Sequence, residues 1–274
     1  MKVFAVLGDK RARASLSPEM HNNALNKAGI KGRYVSFCVE PTHLEQAITG
    51  LFALGLAGAN VTVPYKQRVI PFLQGLSDQA RSLGAVNTIE FTKSGMVGHN
   101  TDVAGFLSAL EQAGFSPLKR RCLVMGAGGA ARAVVRGLIQ AKAGEVLVAA
   151  RRDNKAKGLC RDLGGTPISL ADWERAAKGA DLLLNASSVS TRAESPELAK
   201  MLAKTADKVK PSLIFDLNYG RPKNLWQGLA KRKSAVFADG LLMLAEQARL
   251  SFEIWTGLLP PPSHFLDALE QVIP

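Results

Sequence analysis

The sequence predicts an α/β protein built as two domains, and three observations carry that prediction. Short apolar runs alternate with amphipathic helical patterns along most of the chain, the alternation restarts near residue 121, and the charge balance changes in the same region. The 274 residues exceed one average domain of roughly 150 residues. With 47% hydrophobic and 21% charged residues, the chain has material for a large core and is neither disordered nor fibrous. The net charge of +12 is local: residues 1–102 hold 11 basic and 7 acidic groups, residues 103–238 hold 23 and 11, and residues 239–274 hold 1 and 5. A basic middle between flanks that cancel suits a second domain facing an anionic ligand. For clusters such as Lys119-Arg120-Arg121 and Lys231-Arg232-Lys233, a solvated basic face is the equally open alternative. Nucleic-acid binding has little else behind it, because aromatic residues are 6% and no zinc-finger or RNP-type signature is present.

The first domain is expected to contain strands over Lys2 to Leu7, Arg33 to Val39 and Gly58 to Val63, with helices over Pro18 to Ala28, His43 to Leu54 and around Val69 to Leu76. That alternation implies a parallel sheet. Gly84 to Phe91 and Met96 to Gly98 read as shorter strands, joined in a hairpin around Lys93-Ser94-Gly95. Val103, Phe106, Leu107 and Leu110 mark an amphipathic bridging helix that ends near Gly114. In the second domain, apolar runs at Cys122 to Met125, Glu145 to Ala150, Asp181 to Asn185, Leu213 to Leu217 and Ala235 to Ala238 read as strands of a second sheet. Leu241 to Thr256 reads as a long helix whose acidic flank suits a return to the first domain. The expected division is therefore 1–102, completed by 239–274, and 103–238. No apolar run approaches the ~20 residues of a membrane span, and the run Val3 to Leu7 is too short for a signal peptide. A cytoplasmic protein is expected. Cys38, Cys122 and Cys160 are odd in number and far apart, so neither a disulfide framework nor a metal site is expected, and all three read as buried and reduced.

One motif sits where a strand should hand over to a helix. Cys122-Leu123-Val124-Met125 runs into Gly126-Ala127-Gly128-Gly129-Ala130-Ala131, a GxGxxA fingerprint for binding a dinucleotide. Gly126 permits the tight turn, Gly128 lets backbone approach a pyrophosphate, and the small Ala131 lets helix and strand pack closely. The helix N-terminus then faces the phosphates. An NAD site wants an acidic residue at the end of the next strand, whereas this chain offers Ala150-Arg151-Arg152 with Lys155 one turn on. Guanidinium groups there suit a 2′-phosphate, so the expected cofactor is NADP and the second domain is expected to be a Rossmann domain.

Several polar residues of the first domain stand where a core would not want them. Ser15 and Ser17 are expected to point to one side of an extended segment just before a helix that Pro18 can begin, and either could also cap that helix. In Asn60-Val61-Thr62-Val63-Pro64-Tyr65-Lys66 a strand runs into what reads as a Pro-started helix. Lys66 would then lie in its first turn, where the helix dipole disfavours a cation and so favours proton transfer; a plain surface lysine is the alternative. Asp102, in Asn100-Thr101-Asp102, reads by default as an N-cap, though a functional carboxylate can stand there too. Asn87 and Gln247 add amides that both donate and accept. Hydroxyls, amides, a lysine and a carboxylate together suit a polyhydroxylated carboxylic acid.

Six motifs in order, SLSPxMHN (Ser15 to Asn22), NVTVPxK (Asn60 to Lys66), GAVNT (Gly84 to Thr88), GxNTDxxGF (Gly98 to Phe106), GAGGAARA (Gly126 to Ala133) and DGxxMLxxQA (Asp239 to Ala248), resemble the shikimate dehydrogenase family over nearly the whole chain. The resemblance implies NADP-linked interconversion of 3-dehydroshikimate and shikimate, in an N-terminal α/β substrate domain and a Rossmann NADP-binding domain flanking a cleft. It makes Lys66 and Asp102 the catalytic pair and assigns Ser15, Ser17, Thr62, Asn87, Gln247 and Tyr219 to the substrate. To the cofactor it assigns Gly126, Ala127, Gly128, Gly129 and Ala130 at the pyrophosphate and Ala150, Arg151, Arg152 and Lys155 at the adenosine phosphate. Asn185, Leu217 and Gly240 would lie along the rest of the dinucleotide, with Asp78 near the nicotinamide. A homodimer is the partner expected besides the small-molecule substrate, with no nucleic acid, membrane or metal. A quinate or aminoshikimate dehydrogenase is the nearest alternative, since one added hydroxyl or amine changes few contacts. A basic regulatory or nucleic-acid-binding protein that has lost the reaction is a remoter one. Three segments depart from the family pattern. The usual NxTxxG is Asn185-Ala186-Ser187-Ser188-Val189-Ser190, DxxYxP becomes Asp216-Leu217-Asn218-Tyr219-Gly220-Arg221-Pro222, and NRT becomes Ala150-Arg151-Arg152.

Overall fold

A computed structural model describes residues 1–269, which fall into two compact units. The chain passes from one unit to the other at Gly105/Phe106 and at Leu244/Ala245, both inside helices. The first unit comprises Met1–Gly105 and the residues from Ala245 onward, the second Phe106–Leu244.

In the first unit, β1 (Lys2–Gly8), β2 (Gly32–Cys38) and β3 (Gly58–Val61) alternate with α1 (Ser17–Lys27) and α2 (Leu44–Ala53). Phe4, Ala5, Val6 and Leu7 are all buried, as a central strand covered on both faces requires. A short β4 (Gly75–Leu76), α3 (Asp78–Leu83), the hairpin β5 (Thr88–Thr92) and β6 (Gly95–His99), and the start of α4 (Asp102–Gln112) follow. The strand order is β2-β1-β3-β5-β6-β4, and the sheet is mixed: β1 pairs parallel with β2 and β3, while β5 runs antiparallel to β3 and β6. The expected hairpin is thus the antiparallel part of a sheet whose β1, β2 and β3 are parallel. Residues 69–76 form a single 3-10 turn, Ile70–Phe72, and β4 rather than a helix. Pro71 stands inside that apolar run, where a helix would need its missing N–H.

The second unit contains β7 (Arg121–Met125), β8 (Glu145–Ala149), β9 (Thr166–Ile168), β10 (Leu182–Asn185), β11 (Leu213–Asp216) and β12 (Val236–Asp239). Helices α5 (Gly129–Gln140), α6 (Asp153–Leu163), α7 (Trp173–Ala177), α8 (Pro196–Ala206) and α9 (Leu225–Lys233) connect them. All five ladders are parallel, in the order β12-β11-β10-β7-β8-β9. Counted from β7 this is 3-2-1-4-5-6, the Rossmann order, whose connections reverse direction between β7 and β10. Trp173 and Trp226 meet edge to face at 6.0 Å within the core on one side.

The last long helix, α10 (Gly240–Thr256), begins in the second unit and ends in the first, where Trp255 Nε1 donates to Ile89 O at 3.0 Å. A short α11 (Ser263–Leu266) follows. The basic clusters have local explanations. Arg120 pairs with Asp181 at 3.0 Å and Arg121 with Glu145 at 3.2 Å, while Lys231, Arg232 and Lys233 occupy the last turn of α9, where the dipole favours cations. Cys122 and Cys160 are buried, but Cys38 is exposed at the end of β2, contrary to expectation. Among the described residues no helix is long and apolar enough to cross a membrane.

Candidate active site

In the first unit the ends of β3 and β6, the starts of β5 and α4 and the middle of α10 gather a dense polar cluster. Lys66 Nζ donates to Asp102 Oδ2 at 2.7 Å, and the Lys66 and Asp102 side chains are 19% and 7% exposed. Lys66 lies in a turn after β3 and not, as expected from Pro64, in the first turn of a helix; its partner is the carboxylate. The other carboxylate oxygen, Asp102 Oδ1, accepts from Asn87 Nδ2 at 2.9 Å. Asp102 is the first residue of α4, and its own N–H donates to Asn100 Oδ1 at 3.0 Å.

The Asn87 amide is held on both ends. Its Oδ1 accepts from Thr101 N and Thr88 Oγ1, both at 2.9 Å, and its Nδ2 also approaches Thr101 Oγ1 at 2.9 Å and Gln247 Oε1 at 3.3 Å. Behind it, fully buried Ser251 lies 2.8 Å from Thr88 Oγ1 and 3.2 Å from Thr101 Oγ1, and accepts from Asn60 Nδ2 at 3.1 Å. Asn60 Oδ1 accepts from the Tyr34 phenol at 2.7 Å. Burial pushes the Tyr34 phenol well above its usual range, so it stays a neutral donor. A continuous hydrogen-bonded chain therefore runs from Tyr34 to Lys66. Asn60, Thr101, Ser251 and Tyr34 are the members that residue types alone do not single out. The first two stand inside the quoted motifs, while Ser251 and Tyr34 give no local signal because their partners come from distant parts of the chain.

Two expectations change locally. Only Ser15 of the Ser15 to Pro18 segment is extended: Leu16 already has helical dihedrals, α1 begins at Ser17, and no side chain caps it. Ser15 Oγ instead accepts from Ser17 N at 3.3 Å. Thr62, half-buried, follows β3 with its N–H on Leu7 O at 2.9 Å, and its methyl group occupies the space that a side chain at Gly8 would need. Asp78 opens α3 behind the capping Ser77, a place the helix dipole favours for a carboxylate.

In the second unit the turn after β7 is built for close approach. Gly126 has φ +121°, and a Cβ there would stand 2.5 Å from Ala186 O and 2.9 Å from Ser187 N. Side chains at Gly128 or Gly129 would meet nothing within 4 Å, and α5 starts at Gly129 with no side-chain cap, leaving its first-turn N–H groups free for an anion. Ala131 is fully buried against the sheet. At the end of β8, Ala150 is buried while Arg151, Arg152 and Lys155 are exposed; the two guanidinium groups form no ion pair among the described residues. An open cradle, an uncapped helix start and unpaired guanidinium groups fit a dinucleotide carrying an extra phosphate.

Next to it, Asn185 and Asp216 are register partners on β10 and β11, both fully buried. Asp216 accepts from Asn185 Nδ2 at 2.8 Å, Asn218 Nδ2 at 3.0 Å and Asn224 Nδ2 at 2.7 Å. Leu217 N donates to Asn185 O at 2.9 Å, and the Leu217 carbonyl lies so close to Gly240 that no side chain fits there. Tyr219 follows in the same loop, its phenol pushed up by burial and drawn back by Arg221.

Comparisons with known proteins agree along the length of the chain. The family model of the shikimate dehydrogenase substrate binding domain matches residues 6–89, that of shikimate / quinate 5-dehydrogenase residues 109–238, and that of the shikimate 5′-dehydrogenase C-terminal domain residues 240–270. The shikimate dehydrogenase (NADP(+)) of Desulforamulus reducens is 39% identical over 257 residues, which cover 90% of this chain and 87% of the relative. The crystal structure of shikimate dehydrogenase from Aquifex aeolicus superposes with a TM-score of 0.90 at 32% identity, covering 98% of this chain and 97% of that one. Shikimate 5-dehydrogenase from Thermus thermophilus, solved in complex with NADP(H) and shikimate, gives 0.87 at 36% identity and covers 99% of each chain.

Proposed function

The chain belongs to the shikimate dehydrogenase family, and we propose that it catalyses the reversible NADP-linked reduction of 3-dehydroshikimate to shikimate. The observation that carries the reading is the Lys66–Asp102 pair, 2.7 Å apart and locked by Asn87, in a unit lined with hydroxyls and amides.

Reduction of a ketone needs a hydride at carbon and a proton at oxygen. NADPH, when bound, supplies the hydride. Lys66 holds the proton at Nζ as an ammonium and delivers it to the carbonyl oxygen; in the reverse direction the neutral amine takes it back from the alcohol. Asp102 aims Nζ with Oδ2 and is itself kept from rotating by Asn87 at Oδ1. In this reading Ser15 and Ser17 hold the substrate carboxylate, and Thr62, Asn87, Gln247 and Tyr219 hold its hydroxyl groups. Gly126 to Ala130 receive the pyrophosphate, and Ala150, Arg151, Arg152 and Lys155 the adenosine phosphate. Asn185, Leu217 and Gly240 line the remaining stretch; the place of Asp78 in the cofactor set rests on family resemblance alone. The absence of a carboxylate between β8 and α6 favours NADP over NAD.

Lys66→Ala tests the proposal. Turnover is expected to fall by about 10² to 10⁴, the usual share of a general acid, with substrate affinity changed far less. Turnover near that of the native protein would reject Lys66 as the proton donor. The proposal extends to a cytoplasmic homodimer, in keeping with three unpaired cysteines, and light scattering at several concentrations checks the assembly.

A further inference from the structure

Two of the three segments that depart from the family pattern, at Ser190 and at Gly220-Arg221, meet in one place in the second unit. Glu194 Oε2 accepts from Ser190 N at 2.8 Å, Thr191 N at 3.0 Å and Thr191 Oγ1 at 3.1 Å, and Glu194 Oε1 pairs with Arg221 Nη1 at 3.2 Å. The hydrogen bond from Ser190 N, more than any other contact, holds the Glu194 carboxyl below the usual carboxylate range. Gly220, with φ +60°, makes the left-handed turn that precedes Arg221. Ser190 is fully buried; its Oγ accepts from Asn218 Nδ2 at 2.9 Å, and its carbonyl from Leu225 N at 2.8 Å. Asn218 Nδ2 also reaches Ser187 O at 2.8 Å. The loop after β10 is thereby fastened to the loop after β11 at several points along its length.

That loop is also a wall of the turn at Gly126, since the atoms a Cβ at Gly126 would strike are Ala186 O and Ser187 N. It leaves β10 beside β7, at the reversal point of the sheet, where a dinucleotide crosses from its adenosine half to its nicotinamide half. Arg151 and Arg152, the adenosine-phosphate end, lie on the other side of β7 after β8.

We propose that Glu194, backed by Arg221, is a positioning residue that holds the 186–195 loop in place for the nicotinamide half of the cofactor. The proposal rests on the NADP reading above. It accounts for these two departures together: the Ser190 hydroxyl, where the family pattern has glycine, is an acceptor for Asn218, and Arg221 supplies a counter-charge to the carboxylate that gathers the loop N–H groups. The ion pair is partly exposed, 43% at Arg221 and 27% at Glu194, so most of the effect belongs to the Glu194 carboxylate and its three donors.

The test is binding, without turnover, of two probes to the full chain: NADPH, followed by its fluorescence, and 2′,5′-ADP, which carries only the adenosine end. Glu194→Ala is expected to raise the Kd for NADPH about tenfold and leave that for 2′,5′-ADP within about twofold. Glu194→Gln, which keeps an acceptor for the loop N–H groups and guards against a misfolded alanine variant, is expected to fall between, and Arg221→Ala to show a smaller version of the same split. An unchanged NADPH affinity in a folded Glu194→Ala protein would overturn the proposal, as would equal weakening of both probes, the mark of a generally loosened domain. Failure of the native chain to bind either probe would instead reject the cofactor reading on which the proposal stands.

Discussion

Asp102→Asn is the most informative single substitution, because it keeps shape and removes charge. The two carboxylate oxygens each serve one donor: Oδ1 takes Asn87 Nδ2 at 2.9 Å, and Oδ2 takes Lys66 Nζ at 2.7 Å. An asparagine offers one acceptor for these two positions. With its oxygen toward Asn87, its NH₂ faces the Lys66 ammonium, donor against donor. Flipped, it faces Asn87 Nδ2 with NH₂, and Asn87 cannot turn in answer because its Oδ1 is held by Thr101 N and Thr88 Oγ1. Either way one of the two hydrogen bonds to residue 102 becomes a donor facing a donor, at about 1–3 kcal/mol, and Lys66 also loses its counter-charge. Taking about 3 kcal/mol for the misaligned proton donor, kcat should fall roughly 10²-fold. The assay is initial-rate absorbance of reduced nicotinamide with both substrates saturating, alongside a thermal melt to show that the protein remains folded. A kcat within about threefold of native, at unchanged melting temperature, would refute the argument that this carboxylate aims Lys66.

Other consequences are equally direct. Arg151→Ala combined with Arg152→Ala should raise KM for NADP by about 10- to 100-fold while changing KM for NAD little, since exposed charge-assisted hydrogen bonds to the extra phosphate are what is removed; steady-state kinetics with each cofactor reads the split. His21, buried beneath a Tyr34 ring stacked 4.3 Å away and with no partner for Nε2, has its pKa pushed down by burial to about 3 from an ordinary 6.5. The unfolded chain therefore binds more protons between those values, so His21's contribution to stability is complete above pH 6.5 and is lost as pH falls toward 3. At about pH 4.5 the loss should be about 2–3 kcal/mol, and His21→Phe should remove it; denaturant midpoints at neutral and acid pH measure the difference.

Much of the fold and the site is open to inspection in the chain itself, and the exceptions have physical causes. The strand, the glycines and the helix at 121–140 lie within one short stretch, so the dinucleotide turn needs no distant partner to be recognised. The stretch Val69 to Leu76 reads wrongly as helical because its apolar spacing imitates a helix while Pro71 forbids one. Strand β9 is three residues long with Pro167 at its centre, and α3 spans six residues, both too short to establish a period. The polar chain behind Asp102 is invisible for another reason. Asn60 and Ser251 are 191 positions apart, and only the fold brings their side chains to 3.1 Å. Residue types announce which groups could do chemistry; the order in which they hold one another is tertiary information.

The central claim is tested most directly by following reduced nicotinamide with purified protein while crossing shikimate and quinate against NADP and NAD. The account predicts rapid reduction with shikimate and NADP and far slower reduction in the other three combinations. Equal turnover with NAD would contradict the cofactor preference argued from Arg151 and Arg152, equal turnover with quinate would contradict shikimate as the preferred substrate, and no turnover in any combination would contradict the proposed function itself.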